Sequence, residues 1–249
     1  MFEDNTDSKK ETEMPAGTIR TISREQARRA IYIDFESNPD WAPSILGVLY
    51  RKDSDRSDVF NQYILEKCLY PAGKSCTNKP IDEVVEQVLD MAERENRLIL
   101  AWSTKEINDI EKYCSPDLHA RARDLVTNAI PIARRWRNVF HRHIPIPDQA
   151  YGGNHTQAYY MDLVGFHVPD IYARGTASVP IRRMREELRS RNGNYDLVPF
   201  QVKNSWRIML RHNRYDCEGL QRIMSKVSID MARREDAYKG RMFRRAGWN

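Results

Sequence analysis

The chain has 249 residues, 41% of them apolar and 30% charged, with a formal net charge of +5 at pH 7. That length holds one large domain or two small ones around a sizeable core, and the composition is that of a globular protein. No run reaches the roughly 20 apolar residues of a membrane span, and the N-terminus lacks a basic start followed by an apolar stretch, so the cytoplasm is the expected compartment.

Residues 1–18 show no apolar periodicity and are expected to form a disordered leader. Three strands are predicted next, over 30–37, 44–51 and 58–65, with Asn38-Pro39-Asp40 as turn chemistry between the first two. Such short connections favour antiparallel succession. Pro80 then opens a helix whose first turn carries Asp82 and Glu83 and whose apolar stripe is Ile81, Val84, Val85, Val88 and Met91. The run "RLILAW" at 97–102 reads as a short buried strand.

Beyond residue 103 the patterning is helical, over 104–113, 117–127, 130–141, 181–191 and 205–227. The Pro- and Gly-rich segment 145–180 reads as a loop-rich insertion. The expected fold class is therefore α/β, with a mixed central sheet (an antiparallel meander, then parallel strands), flanking helices and a helical C-terminal half. A single domain over 19–232 is expected, followed by a basic tail at 233–249.

Four cysteines (Cys68, Cys76, Cys114 and Cys217) are scattered without a C-x-x-C pair and read as reduced thiols, mostly core fillers. His141 and His143 lie in "RRWRNVFHRH" with no acidic or thiol partner nearby, and a metal role is not expected of them. Arginine is concentrated at 134–142, 182–191 and 233–245. One such cluster reads as a solvated helix face; three together point to nucleic acid, because the guanidinium fork matches phosphate.

The first predicted strand, "IYIDFES", carries two acids where core is expected. Alternation puts Asp34 and Glu36 on one face with Tyr32, while Ile31, Ile33 and Phe35 take the other. Two neighbouring carboxylates on a central strand repel and lose hydration unless a cation lies between them. Hard oxygen ligands suit Mg²⁺ or Mn²⁺. Glu106 follows the end of "RLILAW", at the start of a helix, and strand ends are where catalytic groups gather in α/β sheets. On the C-terminal helix, "RHNRYDCEGL" stacks His212 and Asp216 one turn apart, with Asn213 beside them.

In this order, D-x-E on a first strand, an acid after a later strand and H-N-x-x-D on a C-terminal helix, the sequence resembles the ribonuclease H-like DEDD 3′–5′ exonucleases. The detailed likeness is to their YprB-type branch, over roughly residues 30–227. There the second motif is an aromatic strand end followed by Glu, matched by Trp102 and Glu106. The third is Y-N-x-x-D, matched by His212, Asn213 and Asp216. Glu106 stands where the broader family usually has Asp, and His212 replaces the aromatic.

The resemblance implies a ribonuclease H-like sheet and a metal-dependent nuclease acting on single-stranded DNA or RNA. By it, Asp34, Glu36, Glu106 and Asp216 hold two divalent ions, Mg²⁺ or Mn²⁺, and His212 positions or deprotonates the attacking water. Asn213 supports the site. Arg134, Arg135, Arg137, Arg182 and Arg183 become candidate phosphate contacts, with Trp136 or Tyr215 as stacking candidates. No membrane and no small-molecule cofactor is expected. Two other readings use the same residues: a nucleic-acid-binding module that keeps the fold without efficient chemistry, or an unrelated α/β protein whose acids bind no divalent ion.

Overall fold

The computed structural model describes residues 21–38, 41–54, 56–146, 155–173 and 177–245, the side chains of 173 and 239–245 excepted. The leader expected at 1–18 lies outside them. At the first described residues Ser23 and Gln26 form a capping box: Gln26 N donates to Ser23 Oγ (3.1 Å) and Ser23 N to Gln26 Oε1 (2.9 Å). This starts helix α1 (Arg24–Arg29), an element that the apolar pattern alone does not predict.

The sheet is mixed and six-stranded. Strands β1 (Ile31–Glu36), β2 (Ile45–Arg51) and β3 (Asp58–Ile64) form the expected antiparallel meander. The two-residue β4 (Thr77–Asn78) pairs parallel with β3. On the other side of β1, β5 (Ile99–Ala101) and β6 (Val126–Asn128) add two parallel strands, giving the order β4-β3-β2-β1-β5-β6. The expected fold class is found: meander, then parallel strands, with helices on both faces.

Alternation along β1 sets the layers. Ile31, Ile33 and Phe35 pack with α2 (Ile81–Glu95), α3 (Lys105–Tyr113) and α4 (Pro116–Leu125) on one face. Tyr32 packs on the other with α1, α5 (Ile130–Phe140), α6 (Gln157–Leu163) and α9 (Phe200–Arg245). The short α7 (Asp170–Ala173) and α8 (Ser178–Ser190) also lie against α9. A third cluster joins α8, the 3-10 turn Lys67–Ala72 and the start of α9, where buried Trp206 donates Nε1–H to the Ala72 carbonyl (3.1 Å).

Besides α1 and β4, which the sequence reading lacks, four of its predicted elements differ in the structure. The strand predicted at 97–102 begins at Ile99. Arg97 instead buries its guanidinium and donates to the carbonyls of Arg29 (3.0 Å) and Arg51 (2.7 Å), which fastens α1 to the end of β2. The helix predicted over 117–127 ends at Leu125, because Val126 and Thr127, both β-branched, pair with β5. Segment 145–180 contains α6, opened by a Thr156 cap, and α7; residues 147–154 and 174–176 lie outside those described.

The fourth is α9, predicted over 205–227, which runs from Phe200 to Arg245 and through position 233, where a tail is expected. Gly219 does not stop it. A Cβ there would lie 2.2 Å from Met161 Cε, so the missing side chain is what lets α6 close on α9. Among the described residues no helix is long and apolar enough to cross a membrane.

Candidate metal centre

Strands β1 and β5 are parallel, with Ile31 opposite Ile99 and Tyr32 opposite Leu100. Their carboxyl ends therefore lie side by side, which is where ligands bind in open α/β sheets. Asp34 and Glu36 leave β1 there on the face covered by α9, and the first turn of α3, after β5, brings Glu106 to the same place. Across the sheet, Asp34 is opposite Gly47, and Gly47 is opposite Gln62. A Cβ on Gly47 would stand 2.5 Å from Asn213 Oδ1 and 3.0 Å from Cys217 Sγ. The glycine is what allows α9 to approach the acids.

Asn213 is fully buried and anchors the helix. Its Nδ2 donates to the Asp34 carbonyl (3.0 Å) and to Asp34 Oδ2 (2.8 Å). Its Oδ1 accepts from Gln62 Nε2 (2.8 Å), which also donates to the Leu210 carbonyl (2.9 Å). Glu106 is buried, and its Oε2 accepts from Ser103 Oγ at 3.2 Å. One turn apart on α9, His212 Nε2 lies 3.2 Å from Asp216 Oδ2. Gln157 Nε2, from α6, donates to the Asp216 carbonyl (2.6 Å).

The donor atoms of Glu36, His212 and Asp216 all lie within 4.8 Å of one another. Asp34 and Glu106 adjoin this triad without belonging to it, Asp34 being held by Asn213 and Glu106 by Ser103. The grouping thus differs from the four-acid set of the sequence reading: His212 sits among the ligand atoms. Two of the atoms here, Glu36 Oε1 and His212 Nδ1, are buried with no hydrogen-bond partner.

All four acids are held away from their ordinary ionisation. Burial, then Asp216 and Glu106, push the Asp34 carboxyl well above the usual range, against the Asn213 hydrogen bond and His212. Burial, then Asp34 and Asp216, do the same to Glu36, opposed by Lys105. Asp216 is raised to about 7 by burial and by Glu106. Glu106 is raised by burial, against the helix N-terminal amides, Lys105 and Ser103.

The cationic side chain beside them is Lys105, whose Nζ reaches the Phe35 carbonyl (3.4 Å) and Asp109 Oδ2 (2.9 Å). Burial works against its charge, yet the Asp109 hydrogen bond and the nearby acids carry its pKa above the ordinary lysine value. One lysine shared with Asp109 does not neutralise four acids, Glu106 buried and the other three half-buried. Oxygen-rich donors, one imidazole and two unpartnered buried atoms form a set that fits a small divalent cation such as Mn²⁺ or Mg²⁺.

The other candidates lie on α5, α8 and α9. Trp136 is fully buried, and its Nε1–H donates to Asp230 Oδ2 (2.9 Å), so its ring is core and offers no stacking surface. Arg137 is likewise occupied, by Tyr159 Oη (3.1 Å) and the Ile144 carbonyl (2.7 Å). Arg134, Arg135, Arg182 and Arg183 are exposed, Arg182 lying 4.0 Å from Glu186. Tyr215 packs against Tyr172 and Phe166, with ring centroids at 5.4 and 6.3 Å.

Cys217 is buried, and burial, then the adjacent carboxylates, push its thiol well up, in keeping with a core thiol. Gly47 and Gln62 complete the site but belong to no motif. Their one signal is position, since both fall on the α9-facing side of their strands. No family model matches the chain, and neither does any curated protein or solved structure.

Proposed function

We propose that the chain is a metal-dependent nuclease that hydrolyses the phosphodiester bonds of single-stranded DNA or RNA from the 3′ end. The observation that carries this reading is the meeting of Asp34, Glu36, Glu106, Asp216 and His212 in one half-buried site with Lys105 as the adjoining cation. Buried like charges at this density are destabilising without a cationic partner, and strongly perturbed carboxyls mark functional sites.

Glu36, Asp216 and His212, with Asp34 and Glu106 beside them, would hold Mg²⁺ or Mn²⁺. When bound, such ions lower the pKa of water and offset charge on a phosphoryl group. The protein's own groups do the rest. Asn213 fixes the Asp34 carboxylate, and Gln62 fixes Asn213, so the first acid is oriented before substrate arrives. His212, its Nε2 3.2 Å from Asp216 Oδ2 and its Nδ1 buried, is the imidazole of this donor set. Lys105 adds a positive charge at the rim, where a phosphate oxygen can be met.

The test is digestion of single-stranded oligonucleotides, DNA and RNA, labelled at either end, with Mn²⁺ or Mg²⁺. Wild type is expected to shorten the 5′-labelled strand stepwise. Asp34→Ala is expected to lower the rate at least about a hundredfold, on the scale of losing an essential electrostatic or acid–base group. Equal traces from wild type and Asp34→Ala under both metals would remove the nuclease reading.

A further inference from the structure

Beyond the end of β1 lies a pocket of about 520 Å³ lined in part by Trp41, Lys67, Arg185, Leu188 and Arg189. Trp41 is 55% exposed, an unusual setting for the largest apolar ring. Its exposure is not that of a loose side chain. The Arg185 guanidinium covers one face, 4.3 Å from the ring centroid. Arg185 is itself clamped by Glu66 through two bonds of 2.6 Å, Nε to Oε1 and Nη2 to Oε2.

Glu66 Oε2 also accepts from Ser44 Oγ at 3.0 Å. Assigned by its hydrogen bonds, the buried Asn38 amide accepts from Arg185 Nη1 (2.8 Å) and donates to the Ser178 carbonyl (2.6 Å). The indole is therefore backed by a rigid, charge-balanced support and presents an open face. The floor is buried Leu188. At the rim, Lys67 and Arg189 are exposed, and neither forms an ion pair with a described residue.

An open aromatic face with two uncommitted cations is complementary to a nucleotide, whose base stacks and whose phosphate is anionic. Hydrogen bonds also tie the pocket to the end of β1, which carries Glu36. Ser44, which supports Glu66 through its hydroxyl, donates its backbone N–H to the Glu36 carbonyl at 2.8 Å. We propose that Trp41 is a nucleobase-stacking platform, holding the base of a nucleotide next to the scissile bond while Lys67 and Arg189 contact its phosphate. The choice of a nucleobase over other flat rings rests on the nuclease reading.

The test titrates the full-length chain into 2-aminopurine nucleoside 5′-monophosphate in the presence of chelator, following the emission of the nucleotide, which stacking quenches. Saturable quenching by wild type is expected, retained in Trp41→Phe and weakened at least about tenfold in Trp41→Ala, on the scale of one base–aromatic stack. Lys67→Ala and Arg189→Ala are expected to weaken the nucleotide but not the phosphate-free nucleoside.

No quenching by wild type, or equal quenching by Trp41→Ala, would overturn the proposal. Trp41 is exposed, and a matching thermal melt of each variant shows that the fold is kept. Chelator separates binding from cleavage. Quenching without Asp34-dependent cleavage would sink the nuclease reading alone, and cleavage without quenching would sink the platform alone.

Discussion

At the scale of the residue, the interruption of an apolar strand by Asp34 and Glu36 is a question of what stabilises buried charge. Hydrogen bonds answer it in part: Asn213 holds Asp34, but Glu36 Oε1 has no partner. The raised carboxyl pKa values carry a testable sign. A carboxyl whose folded pKa lies above its unfolded value, about 3.9 for Asp, takes up protons preferentially in the folded state. The stability it contributes is complete below the unfolded value and is lost as pH rises through the folded one, about 7 for Asp216. Metal-free protein is therefore expected to melt at a lower temperature at about pH 8 than at about pH 5, and Mn²⁺ is expected to reverse the loss at the higher pH. The Asp34→Asn/Asp216→Asn double variant should flatten this dependence. A wild-type midpoint that ignores both pH and Mn²⁺ would mean that these acids are not held as described.

At the scale of the element, the site depends on how closely α9 lies on the sheet. Gly47 sets that distance, because any Cβ there meets Asn213 and Cys217 on the buried side of the helix. Gly47→Ala is expected to cost about 1–3 kcal/mol, the range for overpacking a filled core. It should also weaken Mn²⁺ binding, since Asn213 and Asp216 move together. Chemical denaturation and a metal titration check the two effects, and an unchanged midpoint would mean that α9 yields at no cost. The periodicities made much of this legible. Period-two alternation put Asp34 and Glu36 on one face of β1, and helical spacing stacked His212 on Asp216. Glu106 was legible as the first acid after a strand end. Gly47 and Gln62 were not, because their role arises from a row across β1, β2 and β3 that no local pattern encodes.

At the scale of the whole molecule, the order of elements in the sequence carried the centre of the sheet: short connections gave the meander β1-β2-β3 and a helix before β5 gave a parallel addition, while β4 and β6 are not in the sequence reading. What it did not carry was set by long-range contact. Val126 and Thr127 extend only because β5 offers an edge. Gly219 stays helical because Met161 fills the space against it. Trp136, a stacking candidate in the sequence, is core, paired with Asp230 on the far part of α9. Of its arginine neighbours, Arg137 is turned inward to Tyr159 and the Ile144 carbonyl, while Arg134 and Arg135 are exposed. The acids do converge, from β1, the start of α3 and the middle of α9.

Their convergence is tested most directly by calorimetric titration of Mn²⁺ into the metal-free chain at about pH 8, above the pKa of about 7 of Asp216. Saturable binding by wild type, abolished in Asp34→Asn/Asp216→Asn with the fold retained, is the expected result. Absent binding, or the same isotherm from both proteins, would contradict a divalent cation as the partner of these acids.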